Sequence, residues 1–258
     1  MTTSALPVLI ARPGTRAQAL VDIIERQGFS VQHLNVMTLE PLEPTAKMRG
    51  VLYDLDMYAH VICTSPFAAQ CLADSIETYW PQLPIGVAFY ATGISTAEVL
   101  GGRLGVRVHC PAPGSGSASE ALLSLGRLRE VDAAQVLIVS GEGGRDLLRT
   151  TLESRGATVT TLPLYRRRLH APDDEGLMQL QHGGFAALIV TSAEQLDHLA
   201  QWCGAPAKRR VLIVSSQRLA TLAQTYGFSR ISIAGDATPA TLGATVASAC
   251  SKAASASP

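Results

Sequence analysis

Hydroxyls, glycines and a few arginines follow the apolar runs of this chain. Arg12 and Gly14 follow residues 8–11, Thr64 and Ser65 follow 59–63, and Gly93, Ser95 and Thr96 follow 85–90. Ser140, Gly141, Glu142, Gly143 and Arg145 follow 136–139, Thr191 and Ser192 follow 187–190, and Ser215 and Ser216 follow 211–214. Gly235 and Asp236 close the series after 231–234. Backbone N–H groups and short hydroxyls at strand ends can bind anions, and with no histidine, cysteine or cluster of carboxylates among these residues nothing there marks an activated nucleophile or a metal site. The six histidines show no ligand spacing such as HExxH, which argues against a metal. No GxSxG follows a strand, and Ser115 and Ser117 in PGSGSAS sit in a loose loop with no evident base. SGEGGR at 140–145 lacks the GK[ST] of a P-loop and is not a GxGxxG fingerprint, and by itself such a turn can simply shape a strand-to-helix junction. These seven strand ends, with Tyr165 at an eighth, facing one cleft describe a site for a large polyanion with acidic arms.

Tyr165 is the other group with chemistry. It is expected just past the end of a strand that begins near Ala157. A tyrosine at a strand end most often packs as an ordinary aromatic. Facing a cleft, its phenol, protonated at neutral pH, could donate to a leaving group.

The elements that must hold these residues alternate. Apolar runs, continuous and not alternating with polar residues, predict parallel strands covered on both faces, each trailed by an amphipathic helix. The pattern reads as doubly wound α/β, with strands expected at 8–11, 31–36, 59–63, 85–90, 106–109, 136–139, 187–190, 211–214 and 231–234. Val136 to Tyr165 is the clearest unit: strand, glycine turn, helix with Leu147, Leu148 and Leu152, a stop at Gly156, and a second strand. The tail from Ser248 is small and polar.

A chain of 258 residues with 47% apolar composition can fill two cores. Twenty-one basic and 21 acidic residues give no net field toward nucleic acid or an anionic membrane, so local groups must hold any anion. The five cysteines are odd in number, never in CxxC, and set in apolar runs, which predicts reduced, cytosolic thiols. The N-terminus reads as a first strand and not a signal peptide, and no run approaches a membrane span. Charge balance favours a monomer.

Three units recur in order. Val8 onward resembles Val136 onward (136 − 8 = 128), Val61 resembles Leu188 (188 − 61 = 127), and Val87 resembles Val211 (211 − 87 = 124). A cut near 130 would give two sequential halves, yet the stretches that look like crossings are about 38–47 and 166–176. Crossing at both predicts one domain of 1–37 with 172–258 and another of 40–168, each with one copy of every unit. The connectors would then lie side by side, with Glu40 and Glu43 opposite Arg166, Arg167 and Arg168 across an antiparallel two-stranded hinge. A solvated charge run is the competing account of the arginines.

The ordered set VLIARP (8–13), CTSPFAA (63–69), ATGISTAEVLGGRLG (91–105), SASEALL (117–123), VLIVSGEGGRDLL (136–148), ESRGATV (153–159), LYRR (164–167), TSAEQL (191–196) and VSSQRLATLAQTYGF (214–228) resembles the uroporphyrinogen-III synthase family over almost the whole chain. The resemblance implies two flavodoxin-like domains joined by a two-stranded ladder. It implies a lyase of porphyrin biosynthesis that cyclises the linear tetrapyrrole hydroxymethylbilane with inversion of ring D. Water is lost, an azafulvene cation and a spiro intermediate follow, and neither a metal nor an organic cofactor is needed. Tyr165 falls on the tyrosine that would protonate the departing hydroxyl, and Thr64, Ser65 and Thr96 fall on hydroxyls lining the cleft. Leu219 stands where some relatives carry a threonine, so no hydroxyl role is assigned there. Arg12, Arg145 and Arg218 are candidate partners for acidic arms, although an arginine is more often a solvated surface residue. Two other functions share these features: a non-catalytic two-domain protein closing on a small anion, and a flavin or nucleotide enzyme, for which the phosphate fingerprints are incomplete.

Overall fold

Parallel strands form where the sequence runs apolar without interruption. The computed structural model describes residues 6–11, 15–112, 118–144 and 146–254. In chain order the first elements are β1 (Val8–Ile10), α1 (Thr15–Arg26), β2 (Val31–His33), β3 (Met37–Pro41), α2 (Ala46–Tyr53), a 3₁₀ turn (Leu55–Met57), β4 (His60–Cys63), α3 (Pro66–Tyr79), β5 (Ala88–Ala91), α4 (Ile94–Leu104) and β6 (Val108–His109). Then follow α5 (Ala118–Leu123), α6 (Gly126–Arg129), β7 (Gln135–Gly141), α7 (Leu147–Ser154), β8 (Thr158–Leu169), α8 (Asp174–His182) and β9 (Ala187–Val190). The last are α9 (Ala193–Ala200), α10 (Ala205–Lys208), β10 (Val211–Val214), α11 (Gln217–Thr225), β11 (Arg230–Ile233) and α12 (Pro239–Ala254).

Two compact units result, one of Met1–Thr38 with Arg168–Pro258 and one of Leu39–Arg167. The first holds a five-stranded sheet in the order β11-β10-β9-β1-β2, and the second contains most of a six-stranded sheet in the order β3-β8-β7-β4-β5-β6. All pairs from β2 to β11 in the first sheet, and from β8 to β6 in the second, are parallel. Superposing the repeats (β1 on β7, β9 on β4, β10 on β5) makes the two orders identical, with β3 added outside β8. The inner strands of each sheet are buried on both faces. In the first, Leu9, Leu188 and Leu212 face one core while Ile10, Ile189 and Ile213 face the other. In the second, Val61, Leu137 and Val139 oppose Ile62, Val136 and Ile138.

Three expectations need correction. The strand expected at 85–90 begins only at Ala88, because Gly86 turns the chain at φ +92° and Ile85 is fully exposed beside it. β8 runs on to Leu169, so Tyr165 lies within the strand and not past its end. The strand expected at 31–36 stops at His33. The extension of β8 is held by β3. Leu42 N–H donates to Leu164 O (2.8 Å), and His170 N–H donates to Val36 O (3.1 Å), so the two segments run in opposite directions. Arg166 Nε meets Glu40 Oε2 at 3.1 Å, an exposed pair of small energetic weight.

Candidate functional site

The carboxyl ends of β4, β7 and β8 bring several of the candidate residues together. Strand β7 reads QVLIVSG and stays paired with β8 to its last residue. Up to Ser140 the register advances one residue for one: Val139 opposes Leu162, and Ser140 opposes Pro163. Gly141 then opposes Tyr165, so β8 carries one extra residue, Leu164. A bulge of this kind bends the strand and re-aims side chains. Proline, which has no N–H to give a ladder, is tolerated in an inner strand only at such a place. The consequence is visible in burial. Leu162 and Leu164 face one core, as alternation requires, and Tyr165, which should point to the opposite face, joins them. Its carbonyl accepts from Glu142 N–H at 2.8 Å, which ties the glycine turn to the bulge.

Tyr165 is only 3% exposed. Its ring lies flat on Gly141: a Cβ at that position would stand 2.6 Å from Cζ and 2.8 to 2.9 Å from both Cε atoms. Phe67 meets the ring edge-on, with centroids 5.1 Å apart and planes at 83°. The phenol oxygen lies 3.1 Å from Ser65 Oγ. Ser65 is also the N-cap of α3, its oxygen accepting from Ala68 N–H at 3.1 Å, and Pro66 starts the helix where no N–H is needed. Thr64 Oγ1 donates to Val139 O (3.2 Å), and Thr92 Oγ1 donates to Thr64 O (3.0 Å), so side-chain hydroxyls stitch the ends of β7, β4 and β5 together. Gly143 takes a left-handed φ of +70°, which only glycine adopts at no cost. Glu142 and Gly143 are exposed and Ser95 is half-buried. Thr96 is enclosed completely, and its hydroxyl has no partner among the described residues. Arg145 lies outside the described residues.

The other unit repeats part of this arrangement around β1, β9 and β10. Ser192 caps α9 by accepting from Gln195 N–H (3.2 Å), and Ser216 caps α11 by accepting from Leu219 N–H (3.4 Å). Ser215 Oγ donates to Thr191 O at 3.4 Å. Buried Gln195 donates through Nε2 to Ala11 O at the end of β1. No tyrosine stands at the end of β2, since this chain has Leu34 there. Arg218 is exposed, and Arg12 and Gly14 lie outside the described residues.

Two residues at these strand ends are visible only in three dimensions. Phe67 sits in a segment singled out for its hydroxyls, and nothing in CTSPFAA marks the phenylalanine as the wall of a tyrosine 98 residues later. Gln195 lies in TSAEQL with the ordinary appearance of a first-turn helical residue. Among the described residues no group of three or more His, Cys, Asp or Glu is placed to hold a metal ion. Burial raises the thiol of Cys63, at the end of β4, and pushes that of Cys203, in the core between α9 and α10, up to about 12.

A sequence profile described as uroporphyrinogen-III synthase HemD matches residues 18–244. The chain belongs to the uroporphyrinogen-III synthase family. It is 30% identical to uroporphyrinogen-III synthase of Escherichia coli over 243 residues, covering 90% of this chain and 96% of that one. The Salmonella typhimurium protein of the same name is also 30% identical, with the same coverage. Among solved structures, a mutant uroporphyrinogen III synthase from Thermus thermophilus superposes with a TM-score of 0.59 at 22% identity, covering 96% of this chain and all of that one. The Helicobacter pylori enzyme superposes at 0.57 with 15% identity, covering 96% and 98%. At these identities the two structures speak for the mixed α/β fold with mostly parallel sheets. No described helix is long and apolar enough to cross a membrane.

Proposed function

We propose that this member of the uroporphyrinogen-III synthase family cyclises linear hydroxymethylbilane to the macrocycle with ring D inverted, and that Tyr165 is the acid that releases the terminal hydroxyl as water. The observation that carries the acid role is the placement of Tyr165. A β-bulge turns it into a slot formed by Gly141, Phe67 and Ser65 at the carboxyl end of a parallel sheet, which is where doubly wound folds hold their ligands. The strand order β2-β1-β9-β10-β11 fits a flavodoxin-like unit, and the shared order of the second sheet fits another. In this reading β3 and β8 are the two-stranded hinge between the domains, and the domains are 1–37 with 172–258 and 40–168.

The chemistry asks for a proton at one oxygen and for restraint everywhere else. Once water has left, the azafulvene cation can be attacked by either of two ring D carbons, and only attack at the substituted one, through the spiro intermediate, inverts the ring. Holding a flexible bilane so that one carbon reaches the cation is a task of orientation, the effect with the largest reach in intramolecular reactions. The amides and hydroxyls of Thr64, Ser65, Ser95, Gly141, Gly143, Thr191, Ser192, Ser215 and Ser216, with Arg12 and Arg145, are the proposed partners of the acetate and propionate arms; Thr96 is enclosed completely and the Glu142 N–H already donates to Tyr165 O, so neither is offered to an arm. The test couples the purified protein to freshly generated hydroxymethylbilane and measures the ratio of type III to type I macrocycle. Type III is expected; type I alone would end the proposal. Tyr165→Phe is expected to slow turnover by about 10²–10⁴-fold, the usual contribution of a positioned acid, while the isomer ratio stays near that of the parent. A variant as fast as the parent would remove Tyr165 from the mechanism.

A further inference from the structure

Among the described residues, the Tyr165 hydroxyl has one hydrogen-bond partner, Ser65 Oγ at 3.1 Å, and the ring has no room to turn away from it. A serine hydroxyl has one proton and two lone pairs. One lone pair of Ser65 is committed to Ala68 N–H, in the first turn of the 14-residue helix α3, where unpaired N–H groups and the helix dipole make the local field positive. The Ser65 proton remains, and the nearest acceptor for it is the phenol oxygen. If Tyr165 donated to Ser65 instead, its proton would be spent inside the protein.

We propose that Ser65 is a positioning residue that donates to Tyr165 and thereby leaves the phenol proton free for the leaving hydroxyl. This rests on Tyr165 acting as the acid proposed above, and it reassigns Ser65 from touching substrate to acting through the tyrosine. The chain of donors runs from Ala68 N–H to Ser65 Oγ, from Ser65 O–H to Tyr165, and from Tyr165 O–H to the bilane. In the step itself the phenol proton moves to the terminal hydroxyl, and the carbon–oxygen bond breaks with its electron pair leaving on water. The phenolate so formed is held by the Ser65 hydrogen bond with the α3 N-terminus behind it. The proton released from a pyrrole carbon after ring closure returns to the phenolate, so protons balance over the cycle.

The test is a double-mutant cycle with a helix-cap control. Ser65→Ala is expected to lower kcat by about 10²–10³-fold, as for loss of one donor to developing charge, with KM changed less than twofold. Ser65→Thr, which keeps the hydroxyl, is expected to restore most of the rate. Ser65→Asp keeps an acceptor for Ala68 N–H but donates nothing, so it is expected to retain the parental Tm and yet react as slowly as Ser65→Ala. In the Tyr165→Phe background, Ser65→Ala is expected to cost nothing more. Equal slowing by Ser65→Ala in both backgrounds, an effect confined to KM, or a Ser65→Asp variant at parental rate would each overturn the inference while leaving Tyr165 as the acid. A Tyr165→Phe variant as fast as the parent fails at the earlier stage and removes the acid role together with this one.

Discussion

Gly141 shows how much a single absent methyl group can decide. Any side chain there would enter the Tyr165 ring at less than 3 Å, and the ring, closed in by Phe67 and the bulge, has nowhere to go. Gly141→Ala is therefore expected to lower stability by about 1–3 kcal/mol, as overpacking of a filled site does, and to slow turnover as far as Tyr165→Phe. Thermal unfolding and kcat measured together would check it; an alanine variant unchanged in both would mean the ring is freer than its packing implies. The glycine was legible in SGEGGR as a feature of a turn, but its purpose was not. That purpose depends on a side chain 24 residues away, brought opposite by a register shift that neither strand's sequence encodes alone.

At the scale of elements, the strands that read as unbroken apolar runs are the ones the sequence located to within a residue or two: β1, β4, β7, β9 and β10. Burial on both faces leaves little choice of residue type, and that restriction is what makes them readable. The far half of β8 was legible only as a connector expected to pair antiparallel with residues 38–47; Arg166, Arg167 and Arg168 are exposed and the backbone hydrogen bonds to β3 carry no side-chain signature, so its continuity with the strand that begins at Thr158 did not show. Strands β4, β5 and β6 also place three rings in a row: His60 to Tyr90 at 5.5 Å and Tyr90 to His109 at 5.2 Å. Burial first, and then the Arg127 charge, hold His60 below the ordinary imidazole value of 6.5. Burial, and then Arg107 and Arg127, do the same to His109. A histidine whose folded value is depressed binds fewer protons folded than unfolded, so stability is full above 6.5 and falls as pH drops from there toward the folded values. Tm is expected to be level between pH 7.5 and 8.5 and to decline below 6.5. His60→Leu should flatten that decline, since it removes a titrating ring whose Nδ1 is buried without a partner among the described residues. A decline equally steep in the variant would place the titration elsewhere.

For the whole molecule, the repeats alone invite a cut near residue 130, whereas the two compact units are nested. The sequence carries both possibilities, and only the connectors distinguish them. A fragment spanning 37–170 contains every strand of the six-stranded sheet and is expected to unfold cooperatively with the far-UV circular dichroism of a folded α/β domain. A fragment ending at residue 130 lacks β7, the strand between β8 and β4 whose Val136, Leu137 and Val139 are fully buried, and is expected to show no cooperative transition. Cooperative melting of the shorter fragment would mean that β1 to β6 form a domain by themselves.

The nesting also gives the chain a timetable. Strand β1 sits between β2 and β9, and 154 residues (187 − 33) separate the end of β2 from the start of β9. At synthesis rates of about 5–20 residues per second, the first strands wait roughly 10–30 s for their neighbour, and during that wait the whole of the second sheet emerges. Of the two units, the one whose synthesis begins earlier is thus the one completed later. Val8, Leu9 and Ile10, fully buried in the finished fold, spend that interval exposed on a growing chain.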